Sequence, residues 1–277
     1  MSKKVFVVTG SNKGIGYGIV RGLAEKVADS VIYLTARNTT LGDQALKKVH
    51  EELGAKKKSE ILFHQLDITD EVSCQKLASH LKEKHGAIDV LINNAAIAFD
   101  EDEVECSEQQ VELTFSTNYY GPKTVSRYLV PLIKSGGRLI NICSSLGMMK
   151  NKYSIDRIEK FKGTYTEADV DGFVEDYKRA CKEGNRTESG FPKTYYPAYQ
   201  VSKAAEIAYT LLQSAELKHR SIIVNACCPG YVATDLNNHK GQKTIEEGAD
   251  NPIYLTTDQN IPNGKFVIEN RKVIEWP

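Results

Sequence analysis

Short apolar runs alternate with amphipathic stretches along most of this 277-residue chain, and that alternation restricts the fold more than any other feature. β-rich runs stand at 4–9 (KVFVVT), 30–36 (SVIYLTA), 61–67 (ILFHQLD), 88–93 (IDVLIN), 137–143 (GRLINIC) and 221–227 (SIIVNAC). Helical periodicity fills 15–26, 41–53, 73–84, 109–133 and 199–218, and shorter β-rich runs at 265–269 and 273–275 close the chain. Strands apolar on both faces, each followed by a helix, predict a parallel sheet covered on both sides. Right-handed crossovers make this a single doubly wound α/β sheet, with ligands beyond the carboxyl ends of the strands. One segment breaks the pattern. Residues 150–194 are polar and charged, with helical spacing over 167–181. A structureless loop of that length is uncommon in a compact protein, so the segment reads as a helical insertion at the rim of the site within one domain spanning 1–277.

Charge and cysteine usage remove several function classes. Lys plus Arg and Asp plus Glu are both 36, so the net charge is zero and gives no electrostatic case for nucleic acid or an anionic membrane. No run is apolar for long enough to span a bilayer. The N-terminal run enters a glycine turn rather than a cleavage site, so it reads as a first strand and not a signal peptide. The six cysteines form no CxxC pair, which fits reduced thiols, a cytoplasmic location and no metal site.

The first strand is followed by Thr9-Gly10-Ser11-Asn12-Lys13-Gly14-Ile15-Gly16 at the opening of the first helix. Gly10 permits a tight turn, and Gly14 and Gly16 remove side chains where a pyrophosphate meets a helix N-terminus. The second strand ends Thr35-Ala36-Arg37, without the acid that takes ribose hydroxyls in NAD-binding sites. Arg37 offers a guanidinium fork, and Lys13 a second cation, for a 2′-phosphate. Those residues favour NADP(H). Asp67, followed by Ile68, ends the third strand and is placed to accept from an adenine amino group.

The spacing TGxxxGxG resembles that of the short-chain dehydrogenase/reductase family, which has this Rossmann-type fold. Further motifs carry the likeness. Asn94 in Asn93-Asn94-Ala95-Ala96 matches the family's cofactor-contacting asparagine, with Ala96 where the family has glycine. The run Cys227-Cys228-Pro229-Gly230-Tyr231-Val232-Ala233-Thr234 matches the turn that folds over the nicotinamide, which implies contacts from Pro229, Val232 and Thr234. Ser144 lies three residues after Asn141, as the family's catalytic serine does. Asn118 matches the asparagine that holds a water for proton resupply.

Tyr199-Gln200-Val201-Ser202-Lys203 places a phenol and an ammonium on one helix face. Reduction of a carbonyl delivers hydride to carbon and needs a proton for the alkoxide. Free tyrosine, with a pKa of about 10, is a weak acid for that purpose, and an adjacent ammonium is expected to lower its pKa. Lys203 also suits the nicotinamide ribose, and Ser144 the developing oxyanion. A second copy of the spacing, Tyr119 to Lys123, lies before the fifth strand and beside Pro122, where it is not expected to be catalytic.

The insertion, the Asn225–Gly230 stretch and the tail near Trp276 are similar to the monomeric animal carbonyl reductases. That resemblance implies NADPH-dependent reduction of quinones, ketones and aldehydes by a monomer. Leu146, Met148, Tyr196, Tyr231 and Leu236, with Ser144, are expected to line the substrate pocket. The same chemistry run as an NADP-dependent steroid or secondary-alcohol dehydrogenase is the first alternative. A non-enzymatic nucleotide-binding regulator is the second. Some of these relatives hold glutathione conjugates near the segment after Asn94, where this chain carries the acidic run Asp100-Glu101-Asp102-Glu103. Repulsion there predicts that a glutathionylated ketone is turned over less efficiently than the free ketone. A kcat/KM equal or higher for the conjugate overturns that expectation.

Overall fold

A computed structural model describes residues 3–99 and 107–277, so the acidic run at 100–103 and Cys106 lie outside the described residues. Eight strands form one sheet: β1 (Lys4–Val8), β2 (Ser30–Ala36), β3 (Glu60–Gln65), β4 (Ile88–Asn93), β5 (Ile133–Ile142), β6 (Ile223–Cys227), β7 (Lys265–Ile268) and β8 (Lys272–Ile274). Their spatial order is β3-β2-β1-β4-β5-β6-β7-β8. All neighbours are parallel except β7 and β8, which pair antiparallel. The order reverses between β1 and β4, the place where a doubly wound sheet opens a crevice for a ligand. Val5 and Val7 of β1 pack into one core cluster, while Phe6 and Val8 pack into another on the opposite face. Burial on both faces is why these strands read as unbroken apolar runs.

Nine helices flank this sheet among the described residues: α1 (Gly14–Lys26), α2 (Thr39–Leu53), α3 (Glu71–His85), α4 (Glu108–Phe115), α5 (Gly121–Leu129), α6 (Ile155–Lys162), α7 (Glu167–Lys182), α8 (Pro197–Glu216) and α9 (Ile245–Thr257). Asn38 and Asp70 cap α2 and α3 by accepting from Leu41 N and Val72 N. Several elements differ from the sequence reading. The helix expected over 109–133 is α4, then a π-helical turn at Ser116–Tyr120, then α5, and the next strand already begins at Ile133. The helices α6 and α9 were not anticipated. Pro252 and Gly248 interrupt the helical signal of α9, yet Thr244 and Glu247 form a reciprocal capping box at its start. Gly18 and Gly22 of α1 let α9 approach closely: a methyl group there would meet Ile245 Cγ2 at 2.6 Å and Ile253 Cδ1 at 2.4 Å.

The inserted helix α7 lies on α8 and α4. Val170, Phe173, Val174 and Tyr177 share a core cluster with Val111, Phe115, Tyr119, Val201 and Ala205. The second Tyr-x-x-x-Lys copy clamps this layer. Lys123 is only 8% exposed, and its Nζ reaches Asp171 at 2.5 Å and Glu167 at 2.9 Å on α7. The Tyr119 hydroxyl donates to the same Asp171 carboxylate at 2.8 Å. Asp171→Ala leaves a buried phenol and a buried ammonium with fewer partners, and the expected loss is roughly 3 kcal/mol. Urea unfolding measures it; a loss under about 0.5 kcal/mol, the size of an ordinary surface change, shows that this clamp does not hold the insertion.

Candidate active site

The glycine turn is built to present backbone donors. Gly10 has φ +57°, and a methyl group there would lie 2.7 Å from Ala95 Cβ. Helix α1 starts after Lys13 with no side-chain cap, so the N–H groups of its first turn are left for a ligand at the cleft. Gly16 serves packing rather than open space. A methyl group on it would lie 2.4 Å from Asn94 Nδ2, and that amide donates to Thr9 O at 2.9 Å and Gly10 O at 3.1 Å. Asn94 therefore buttresses the turn from behind.

A cleft of about 1180 Å³, counting its open mouth, runs along this turn. Its lining takes in Gly10, Asn12, Lys13, Gly14, Ile15, Arg37, Asp67, Ile68, Asn94, Pro229, Thr234 and Leu236, and reaches Tyr199 and Lys203. The cofactor residues expected from the sequence thus meet in one place, apart from Gly16 and Val232. The Val232 side chain is buried against α9, with its Cγ2 2.5 Å from where a Gly248 methyl group would stand. Lys13 pairs with Asp235 at 2.8 Å, a contact across 222 positions that the sequence reading missed. Both side chains are more than half exposed. Such a surface pair contributes about 0–1 kcal/mol, so a phosphate can claim Lys13 at little cost. The Asp67 carboxylate accepts from Thr69 N at 2.9 Å and from Thr69 Oγ1 at 2.7 Å, which fixes it at the cleft wall.

Helix α8 carries the phenol and the ammonium. Lys203 is 2% exposed and donates to Ile142 O at 2.8 Å, and to the Glu206 carboxylate at 2.7 Å. Its Nζ stands 5.8 Å from the centre of the Tyr199 ring. Burial pulls the lysine pKa down, but Glu206, Tyr199 and Cys143 outweigh it and hold the ammonium above its ordinary value. The Tyr199 hydroxyl faces the Ser144 side chain, which favours its phenolate slightly. Burial pushes the Tyr199 pKa up, Lys203 opposes this, and Cys228 and Glu206 add to the rise. Lys203 does lower the Tyr199 pKa as expected, but burial outweighs it, so the net direction is upward rather than below free tyrosine. Burial of the phenol is the main reason, and it is not visible in the sequence; Glu206, three residues beyond Lys203 and not singled out there, adds a smaller rise.

Ser144 is set by the turn after β5, where its Oγ accepts from Leu146 N at 3.2 Å. That turn lies directly on α8, because a methyl group on Gly147 would meet the Lys203 carbonyl carbon at 2.7 Å. Trp276 Nε1 donates to Gly147 O at 2.9 Å and ties the chain's tail to the same turn. Asn118, fully buried in the π-helical turn, accepts from Ile97 N and donates to Ile97 O, both at 2.8 Å, and donates to Ser202 Oγ at 3.2 Å. It joins the loop after β4 to α8.

The expected substrate residues separate. Tyr231 and Leu236 stand exposed, and Leu236 lines the cleft. Leu146 is partly exposed, with its carbonyl accepting from Lys152 at 3.2 Å. Tyr196 directly precedes α8 and is partly exposed. Met148 instead packs with Trp276 against Cys143, Ile207 and Phe266. Ala95, Ala96, Ile97, Thr117 and Cys143 also line the cleft; of these only Ala96 had drawn notice in the sequence.

The sequence matches the short chain dehydrogenase family over residues 4–155 and 187–245, and the chain belongs to that family. The gap in the match, 156–186, falls on the inserted helix α7 and on α6 after its first residue. The chain is 38% identical to carbonyl reductase (NADPH) 1 of Sus scrofa over 99% of its own length and 94% of that protein. It is 37% identical to the Homo sapiens protein of the same name over 98% of each. Among solved structures, salutaridine reductase from Papaver somniferum superposes with a TM-score of 0.85 at 28% identity, covering 97% of this chain and 100% of that one. Menthone neomenthol reductase from Mentha piperita gives 0.82 at 27% identity, over 97% and 99%.

Arg37→Asp places a carboxylate beside the expected 2′-phosphate. The loss of a charged hydrogen bond, about 1.5–3 kcal/mol, predicts at least a tenfold weaker NADPH affinity with little change for NADH. Fluorescence titration of both cofactors checks this, and equal weakening of the two rules out the phosphate role.

Proposed function

We propose that this chain is an NADPH-dependent carbonyl reductase acting on quinones, ketones and aldehydes. One observation carries the reading: Tyr199, beside Ser144 and with its ring centre 5.8 Å from the Lys203 ammonium, stands at the end of the cleft lined by the uncapped start of α1 and by Arg37. The names of the relatives point the same way. The residues fit NADP(H), because the glycine turn leaves backbone donors free and the end of β2 supplies a cation where an acid would repel a 2′-phosphate. Gly10, Asn12, Gly14, Ile15 and the start of α1 are assigned to the pyrophosphate, Arg37 and Lys13 to the 2′-phosphate, and Pro229 and Thr234 to the nicotinamide end. When bound, the cofactor supplies the hydride.

The chain's own residues handle the oxygen. Ser144 donates to the carbonyl oxygen, where negative charge develops during reduction, and a fixed donor there is stronger in the transition state than in the ground state. Tyr199 gives the proton. Tyr199 is a phenol at neutral pH even at the ordinary tyrosine value of about 10, and burial pushes its pKa up from there. Lys203 orients the ribose and favours the phenolate left after transfer, and Asn118 is assigned to proton resupply. Leu146, Tyr196, Tyr231 and Leu236 offer an apolar rim for an aromatic or alicyclic carbonyl compound. The insertion lies over α4 and α8, which supports a monomer. Reduced thiols at Cys74, Cys143, Cys227 and Cys228 support the cytoplasm.

Removing a general acid costs roughly 10²–10⁴-fold in rate, so Tyr199→Phe is expected to lose at least a hundredfold in kcat for menadione and isatin while still binding NADPH. NADPH oxidation followed by absorbance tests this. A mutant with wild-type turnover removes Tyr199 from the mechanism.

A further inference from the structure

Glu206 sits where a short chain of buried groups leads away from the reacting end of α8. It lies on the same helix face as Tyr199 and Lys203 and is 3% exposed. Its carboxylate takes one Lys203 N–H at 2.7 Å, and Ile142 O takes another at 2.8 Å. An ammonium has three donors, so a single N–H is left for the side on which Tyr199 and the cleft lie. The Cys143 side chain, at the end of β5, faces the same carboxylate. Thr210, one turn further along α8, donates to Glu206 O at 2.6 Å and holds Asn141 Nδ2 at 2.8 Å. The titratable groups facing this pair are therefore Tyr199 from α8, Cys143 from β5, and Cys227 and Cys228 from the end of β6. None of them but Lys203 is a cation, so the Glu206 charge acts directly on the ammonium that Tyr199 feels.

We infer that Glu206 is a positioning residue for this reaction: it fixes Lys203 with one free donor and screens the lysine charge from Tyr199, which sets the pH at which the proton donor becomes phenolate. The inference rests on Tyr199 as that donor. The sign follows from Coulomb's law. With the carboxylate present, Lys203 favours the phenolate less, and the phenol survives to higher pH. Without it, the full ammonium charge favours phenolate, so the pKa of Tyr199 falls. Reduction needs the phenol and is lost as pH rises through that pKa. Alcohol oxidation needs the phenolate and appears above it.

Glu206→Gln keeps the shape and hydrogen bonds of the side chain and removes its charge; Glu206→Leu removes both. The kcat/KM of ketone reduction and of alcohol oxidation is measured from pH 6 to pH 11, on the scale of the ~10 of free tyrosine. The alkaline limb of reduction is expected to move down by about 1 pH unit or more in Glu206→Gln, with oxidation gaining at neutral pH by a similar factor. Superimposable limbs with a uniform loss of rate reduce Glu206 to packing and overturn the inference. If neither variant folds, the wild-type profile still decides. A reduction limb at or above about 10 supports the screening, and one below that contradicts it. Tyr199→Phe run in parallel separates the two levels. Retained activity there removes the proton-donor reading itself, whereas an inactive Tyr199→Phe with an unmoved Glu206→Gln limb removes only the role of Glu206.

Discussion

An ammonium group almost without access to water is the constraint around which this molecule is arranged. Burying an unpaired lysine costs several kcal/mol, so the groups that satisfy Lys203 must be in place whenever the chain is folded. One is Ile142 O, at the end of β5, and another is Glu206, one turn along its own helix. The first couples α8 to the sheet at the point where Cys143 and Ser144 leave it. The second makes the charge tolerable within the helix. Together they bring Tyr199 and Ser144 side by side, so folding and chemistry draw on the same few contacts.

The surroundings of α8 keep this arrangement stiff. On one side Gly147 allows the post-β5 turn to touch the helix backbone at Lys203, and Trp276 holds that turn from the far end of the chain. On the other side α7 is clamped through Asp171 to Tyr119 and Lys123. The two Tyr-x-x-x-Lys copies thus have different fates decided by what faces them. Tyr119 and Lys123 meet carboxylates on α7 and lie away from the cleft, while Tyr199 and Lys203 reach its wall.

Much of this was legible in the residues, for a physical reason in each case. Strands buried on both faces leave apolar runs that need no partner to be recognised, and the glycine turn has spacing that few other structures require. Gln109 to Ile133 was misread as one helix because its periodicity continues through the π-helical turn, and Pro131 does not by itself mark where β5 starts. Helix α9 was hidden by Pro252 and Gly248, although the Thr244–Glu247 capping box was visible. The pairing of Lys13 with Asp235 and the inward packing of Met148 depend on segments distant in sequence. Glu206 was missed because a glutamate at i+3 from a lysine is usually a solvated pair; its near-complete burial comes from the sheet packed against it. The direction of the Tyr199 pKa was misjudged chiefly because its burial, the largest cause of the rise, cannot be read from the sequence.

The most direct measurement is a crystal structure of the enzyme with NADP⁺ and an alcohol product. The account predicts the product oxygen within about 3 Å of both Tyr199 Oη and Ser144 Oγ, with the carbon beside the nicotinamide. A product oxygen held by other groups, with the Tyr199 hydroxyl facing away from it, contradicts the account.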